Sequence, residues 1–171
     1  SLRQAQQDAT KKRGEADIKE RTTLDGIRTT ARGDQAKLKA QERASMAQLD
    51  SRIARDRAIA ESYQNPAQKQ MEIRKVEMVE KRERKRVENK YRKLAEAIEV
   101  KANQGAEKAK REAKLARDKA SSDERKGKAA AQSEKNRTRL QANREALETK
   151  QAADKTEADE IIDARKFDVA E

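Results

Sequence analysis

A single proline, Pro66, interrupts a chain that otherwise consists largely of strong helix-forming residues. Ala, Lys, Arg, Glu and Gln have high helix propensity, and they dominate this sequence. Proline disfavours helix at the residue before it, but it starts a new helix well in the first turn. Asn65 is a favourable N-cap for such a helix. The sequence therefore predicts two long helices that are separated by a break at residues 63–66.

The composition limits how these helices can be stabilised. Charged residues make up 44% of the chain, hydrophobic residues 33% and aromatic residues 2%. Globular domains have about 25% charged residues and about 45–50% apolar residues, so one large core is not expected here. Low hydrophobicity with high charge is also typical of disorder. We therefore predict an all-α, elongated protein that is helical in a multi-helix oligomeric assembly and largely disordered when alone.

Three segments are predicted from the changes in composition. They are a first long helix over residues 1–64, a central basic amphipathic helix over 65–104 and an Ala/Lys-rich helical extension over 105–171 with an acidic tip. Both an αα-hairpin and a kinked rod fit the break, and the hairpin is favoured because a reversal in so few residues is feasible.

Several smaller interruptions are also predicted. Glycines at 14, 26 and 33 weaken the first helix and suggest a loose or kinked region. Gly105 suggests a bend, and Ser121–Ser122–Asp123 suggests a second break. The last five residues, 167–171, are expected to fray or to dock elsewhere.

Apolar side chains in the central segment follow a helical spacing. Val87, Tyr91, Leu94 and Ile98 are separated by steps of four, three and four residues, which places them on one face of a helix. So narrow an apolar face needs a partner helix. The residues predicted to pack between helices are Val76, Val87, Tyr91, Leu94, Ile98, Met46, Leu49 and Ile53. No fixed period stands out, and the irregular spacing favours shared multi-helix packing over a strict two-stranded coiled coil.

The residues needed for most catalytic sites are missing. The chain has no Cys and no His, which excludes a thiolate nucleophile, a disulfide framework and a Cys/His metal site. Carboxylate pairs such as Glu157/Glu160 and Asp159/Asp163 are more typical of a solvated acidic face than of acid–base catalysis or Ca²⁺ binding. The sequence predicts no enzyme, no catalytic residue, no cofactor and no metal.

A net charge of +11 favours polyanionic partners. The candidate contacts to a polyanion are Lys81, Arg82, Arg84, Lys85, Arg86, Arg92 and Lys93. We expect these side chains to point around the helix, which suits contacts to phosphates without reading of the base sequence. An ordinary solvated surface with a basic excess is an equally good interpretation of the same charges.

Short pieces within residues 44–100 carry a family resemblance. RAIAES at 57–62, MEIRKV at 71–76 and ENKYRK at 88–93, in this order, resemble the smallest internal virion proteins, or ejection proteins, of short-tailed podophages. The resemblance implies a protein that packs in the virion interior, in a core stacked on the portal. On infection such a protein moves to the host cell envelope and helps to form a conduit for phage DNA.

The partners implied are further copies of the chain, other virion core or portal proteins and nonspecific DNA. Contact with the host envelope is implied without a transmembrane helix, since no run of about 18 apolar residues exists. The family's Ala/Gly-rich apolar segment also has no counterpart in this sequence. The alternative functions are a basic coiled-coil protein that binds nucleic acid and a scaffold or stalk in a cytoplasmic cellular complex.

Overall fold

The computed structural model of the protein describes the backbone of residues 1–168 and the side chains of residues 1–166. The chain forms α1, Leu2–Glu61, and then α2, Pro66–Asp168. The described residues contain no strand. The two helices form a helical hairpin, which confirms the all-α prediction and the preference for a hairpin over a kinked rod.

Local hydrogen bonds define the break between the helices. The Ser62 N–H donates to the carbonyl three residues earlier at 3.1 Å and closes the last turn of α1. The Asn65 side-chain oxygen accepts from the N–H of Ala67 at 3.0 Å and from that of Gln68 at 3.4 Å. These bonds satisfy two of the free N–H groups at the start of α2. The predicted N-cap at Asn65 is therefore confirmed.

Neither helix contains the further interruptions that the sequence suggested. α1 is continuous through its three glycines, and no described residue has a positive φ. α2 is continuous through Gly105 and through residues 121–123, so the predicted bend and the predicted second break are wrong. High helix propensity of the flanking Ala, Lys and Glu residues outweighs the cost of one Gly or two Ser. The prediction about residues 167–171 lies outside the part of the chain whose side chains are described.

The contacts divide the chain into two units. Unit 2 comprises Glu15–Leu115 and contains the turn between the helices. In unit 2, Asp50 contacts Arg84 and Arg57 contacts Glu80, so partner numbers fall along α2 as they rise along α1. The helical segments of unit 2 are therefore antiparallel.

The core of unit 2 is narrow. Its buried large side chains are Leu49, Ile53 and Tyr91, which are 7%, 5% and 8% exposed. The Tyr91 hydroxyl shares a hydrogen bond of 2.7 Å with the hydroxyl of Ser45 on the facing helix. Because the hydroxyl has this hydrogen-bond partner, the phenol ring of Tyr91 can be buried without leaving a polar group unpaired.

Unit 1 comprises Ser1–Gly14 and Ala116–Glu171, and ion pairs join its two segments. Arg13 donates to Glu124 at 2.5 Å and to Ser121 at 3.1 Å. A hydrogen bond from Lys128 and a second from Arg13 lower the pKa of Glu124. Alanines supply the buried apolar surface of this unit, with Ala120 only 1% exposed.

Inward-facing positions recur at every eleventh residue along both helices. In α1 they include Ala5, Ala16, Ile27, Leu38, Leu49 and Ala60, and in α2 they include Val76, Val87, Ile98, Ala109, Ala120 and Ala131. All twelve are apolar, and none is fully exposed. Eleven residues make three turns at 3.67 residues per turn, close to the natural helix, so the same face stays inward. The prediction that no fixed period exists is therefore wrong.

Two glycines in unit 1 are expected to respond in opposite ways to replacement by alanine. A Cβ at Gly14 meets nothing within 4 Å, whereas a Cβ at Gly127 would lie 2.8 Å from the Cβ of Ala5. We expect Gly14→Ala to raise the free energy of unfolding by about 0.5–1 kcal/mol through helix propensity. Gly127→Ala is expected to lower it by about 1 kcal/mol, because the helices must move apart.

Urea denaturation followed by circular dichroism, at one fixed protein concentration, measures both changes. The two substitutions add the same methyl group to the same kind of helical site, so each is the control for the other. Equal stabilisation by both variants would contradict the close approach of Gly127 to Ala5.

Candidate polyanion-binding face

Five basic side chains gather on one side of α2 in unit 2. Together with Asn89 and Leu94, they line a shallow open concavity of about 720 Å³. The five are Arg82, Lys85, Arg86, Lys90 and Lys93. Arg82 is three and four residues before the adjacent Lys85 and Arg86, and Lys90 and Lys93 follow Arg86 at steps of four and three, which places all five on one side of the helix. We call this set the basic face.

Two carboxylates next to the basic face lie mostly away from solvent, whereas Glu88 of the same helical segment is exposed. Glu80 and Glu83 have side chains that are only 24% and 20% exposed, whereas Arg82 and Arg86 are 71% and 74% exposed. Glu83 nevertheless accepts a hydrogen bond from Arg86 at 3.3 Å and thus partly neutralises that end of the face. The residues that line the basic face therefore include five cations and no carboxylate, and the exposed Glu88 lies outside it.

Lys90 is the basic residue of the face that lies beside an aromatic ring. Its ammonium lies 5.6 Å from the centre of the Tyr91 ring. A cation in this position is attracted to the ring electrons, although the energy at an exposed site is only about 0.5–1 kcal/mol. Since Tyr91 itself is buried, it provides a fixed base for the exposed Lys90 side chain.

Arg84 is the predicted contact residue whose role differs most from the prediction. Its guanidinium pairs with Asp50 on α1 and donates to Glu80 at 3.1 Å. The hydrogen bond to Glu80 and the nearby Asp50 charge raise the pKa of Arg84. Arg84 thus joins the two helices of unit 2 and is already occupied by carboxylates.

The other predicted contacts divide between the basic face and the rest of the helix. Arg82, Lys85, Arg86 and Lys93 belong to the face, while Lys81 and Arg92 do not line it. Arg92 instead lies 3.9 Å from Glu96, one turn along the same helix. Of the seven predicted contacts, four therefore share the basic face and three point elsewhere around the helix.

The predicted packing residues occupy positions of unequal burial. Leu49, Ile53 and Tyr91 are buried, and Leu94 is 42% exposed. The remaining four are half-buried: Met46, Val76, Val87 and Ile98. Leu94 and Ile98 line an open groove of about 780 Å³ with Ile27 and Leu38 of the facing helix. The two helices are therefore not fully packed along this part of unit 2.

No known protein family, curated protein or solved structure matches this chain. Among the described residues, no helix combines the length and the apolar character that are needed to cross a membrane.

Proposed function

We propose that this chain is a structural protein that lies against duplex DNA through its basic face. The observation that carries the proposal is the alignment of five Lys and Arg side chains on one side of α2, with Glu80 and Glu83 turned largely away from solvent. Such a surface attracts phosphates by charge, and this attraction does not depend on the base sequence.

The length of the basic face suits a nucleic-acid backbone. Arg82 and Lys93 are eleven residues apart, which corresponds to about 16 Å along a helix at 1.5 Å per residue. One strand of duplex DNA carries a phosphate about every 3.4 Å along its axis. A length of about 16 Å of duplex DNA therefore carries about ten phosphates on its two strands together, which is more than the five cations of the basic face.

The sparse core of the hairpin fits a protein that must leave a particle through a narrow channel. Among the described residues, six of the nine buried hydrophobic side chains are alanines, and no large side chain is fully buried. Unfolding such a hairpin exposes little apolar surface, so its free-energy cost is small. Without disulfides, no covalent crosslink opposes unfolding.

The setting we propose is the internal core of a short-tailed phage particle, from which the chain moves with the DNA to the host envelope. This proposal is supported by the resemblance of residues 44–100 to the podophage internal virion proteins. It is also supported by the basic face, since a protein packed beside a genome must tolerate close contact with phosphates.

Removal of charge from the basic face tests the proposal. We expect Lys85→Gln/Arg86→Gln/Lys90→Gln to weaken binding to duplex DNA at least tenfold at low salt. Because about 0.9 counterion is released for each phosphate contact, the slope of log K against log salt should fall by about 2–3. Fluorescence anisotropy with a labelled duplex across a salt series measures both quantities.

The matched control removes three charges elsewhere in unit 2. Arg28, Arg32 and Lys39 are exposed basic residues of α1 outside the basic face. The variant Arg28→Gln/Arg32→Gln/Lys39→Gln should keep most of the affinity and most of the slope. Equal losses in the two triple variants would show that net charge, and not the basic face, controls binding, and would overturn the proposal.

A further inference from the structure

The final part of α2 lies in unit 1 and is exposed along its whole described length. Every residue from 132 to 166 is exposed. The exposed residues include large apolar side chains, with Leu140 at 64%, Leu147 at 58% and Ile162 at 51%. Isolated helices in water are marginal, and most helical stability in proteins comes from packing of an apolar face. This segment therefore has an apolar face that nothing in the described chain covers.

The exposed apolar residues share one side of the helix. Leu140, Leu147, Ala158 and Ile162 follow at steps of seven, eleven and four, which are helical repeats. Gln151 lies on the same side, four residues after Leu147 and seven before Ala158, and Arg144 and Lys155 occupy the two remaining positions of this side. The resulting stripe extends over about six turns of helix.

The charge of the segment changes sign at its centre. Residues 132–150 contain five Lys or Arg and three Asp or Glu, for a net charge of +2. Residues 151–166 contain three Lys or Arg and five Asp or Glu, for a net charge of −2. A second copy in antiparallel orientation sets the basic half of each helix against the acidic half of the other. A parallel copy sets like charges together, which is unfavourable.

We infer that residues 132–166 pair with the same segment of a second copy of this chain, in antiparallel orientation. This inference deepens the proposed structural function by naming a self-association surface, and it involves none of the basic face. The pair is centred on Gln151, so Leu140 of each copy lies against Ile162 of the other.

The charged residues on and beside the stripe are complementary in this register. Arg144 of one copy lies beside Asp159 of the second copy, and Glu148 lies beside the second copy's Lys155. By symmetry each of these pairs occurs twice. Arg137 and Lys166 bring like charges together at the ends of the contact, where solvent screens them best.

Sedimentation equilibrium of the full chain, without DNA, measures the self-association. We expect Arg144→Glu to weaken it about tenfold, because two attractive pairs become repulsive. Asp159→Arg should have a similar effect, and the double variant Arg144→Glu/Asp159→Arg should restore most of the affinity. Lys135→Glu is the matched control, since Lys135 lies on the opposite side of the helix from Arg144.

Cysteine crosslinking tests the antiparallel orientation. Because the sequence contains no native cysteine, only the introduced cysteines can form disulfides. Under mild oxidation, Gln151→Cys should form a disulfide with itself, and Leu140→Cys should do so only when it is mixed with Ile162→Cys. A chain that stays monomeric at all concentrations, a double variant that is not rescued, or equal self-crosslinking of Leu140→Cys would overturn the inference. Because no DNA is present, failure here is distinguishable from failure of the DNA-binding proposal.

Discussion

Replacement of Ile53 by alanine is expected to lower the free energy of unfolding by about 2–3 kcal/mol. Ile53 is 5% exposed and is one of the few large side chains in the core of unit 2. Truncation of a buried Ile removes its transfer free energy and leaves a cavity, which together cost about 2–5 kcal/mol. We choose the lower part of this range because a two-helix interface can relax more than a closed core.

Ile59→Ala provides the matched control for Ile53→Ala. Ile59 is 62% exposed and lies on the same helix, less than two turns away. Its removal should change stability by less than about 0.5 kcal/mol. Urea denaturation at one protein concentration compares the two variants. Equal effects at Ile53 and Ile59 would contradict the direction in which α1 faces its partner.

A substitution of Ala120 by leucine is expected to cost about 2–3 kcal/mol in the free energy of unfolding. Ala120 is 1% exposed, the lowest value among the buried hydrophobic residues of the described chain. Its neighbour Ser121 is within hydrogen-bond distance of Arg13 on α1, so the helices are close at this point. A larger side chain here forces the helices apart and disturbs the ion pairs of unit 1.

Ala129→Leu adds the same atoms at an exposed position of the same helix. Helix propensity changes little between Ala and Leu, so this control should stay within about 0.5 kcal/mol of the parent chain. Thermal and urea denaturation measure both variants. Tolerance of leucine at residue 120 would show that the helices do not approach closely at Ala120.

The break between the helices and the all-α class could be predicted from the sequence because both depend on the local preferences of individual residues. Asn65 and Pro66 have side chains that favour a helix start, and the surrounding residues favour helix everywhere else. The eleven-residue spacing was missed because its positions hold side chains of very different size, from Ala109 to Leu49. Large hydrophobic side chains occupy only part of the inward face. The other positions hold alanine, and only their burial in the structure identifies them as inward-facing.

The basic face was only partly predictable for a related reason. The sequence shows a run of charged residues near residue 85. Acidic and basic residues alternate so closely in this run that composition alone does not tell which of them share one side of the helix. Ion pairs between the two helices determine which charged side chains face inward. Arg84 pairs with Asp50, and Glu80 pairs with Arg57. Lys90 belongs to the face, and its four-residue spacing from Arg86 was the signal that could have placed it there.

The dependence of duplex DNA binding on salt is the measurement that tests the central claim most directly. The full chain is titrated against two duplexes of unrelated sequence, in a series of NaCl concentrations. Five phosphate contacts predict a slope of about −4.5 for log K against log salt, with the same affinity for both duplexes. Absence of binding at low salt, or an affinity that depends on sequence and barely on salt, would contradict the claim.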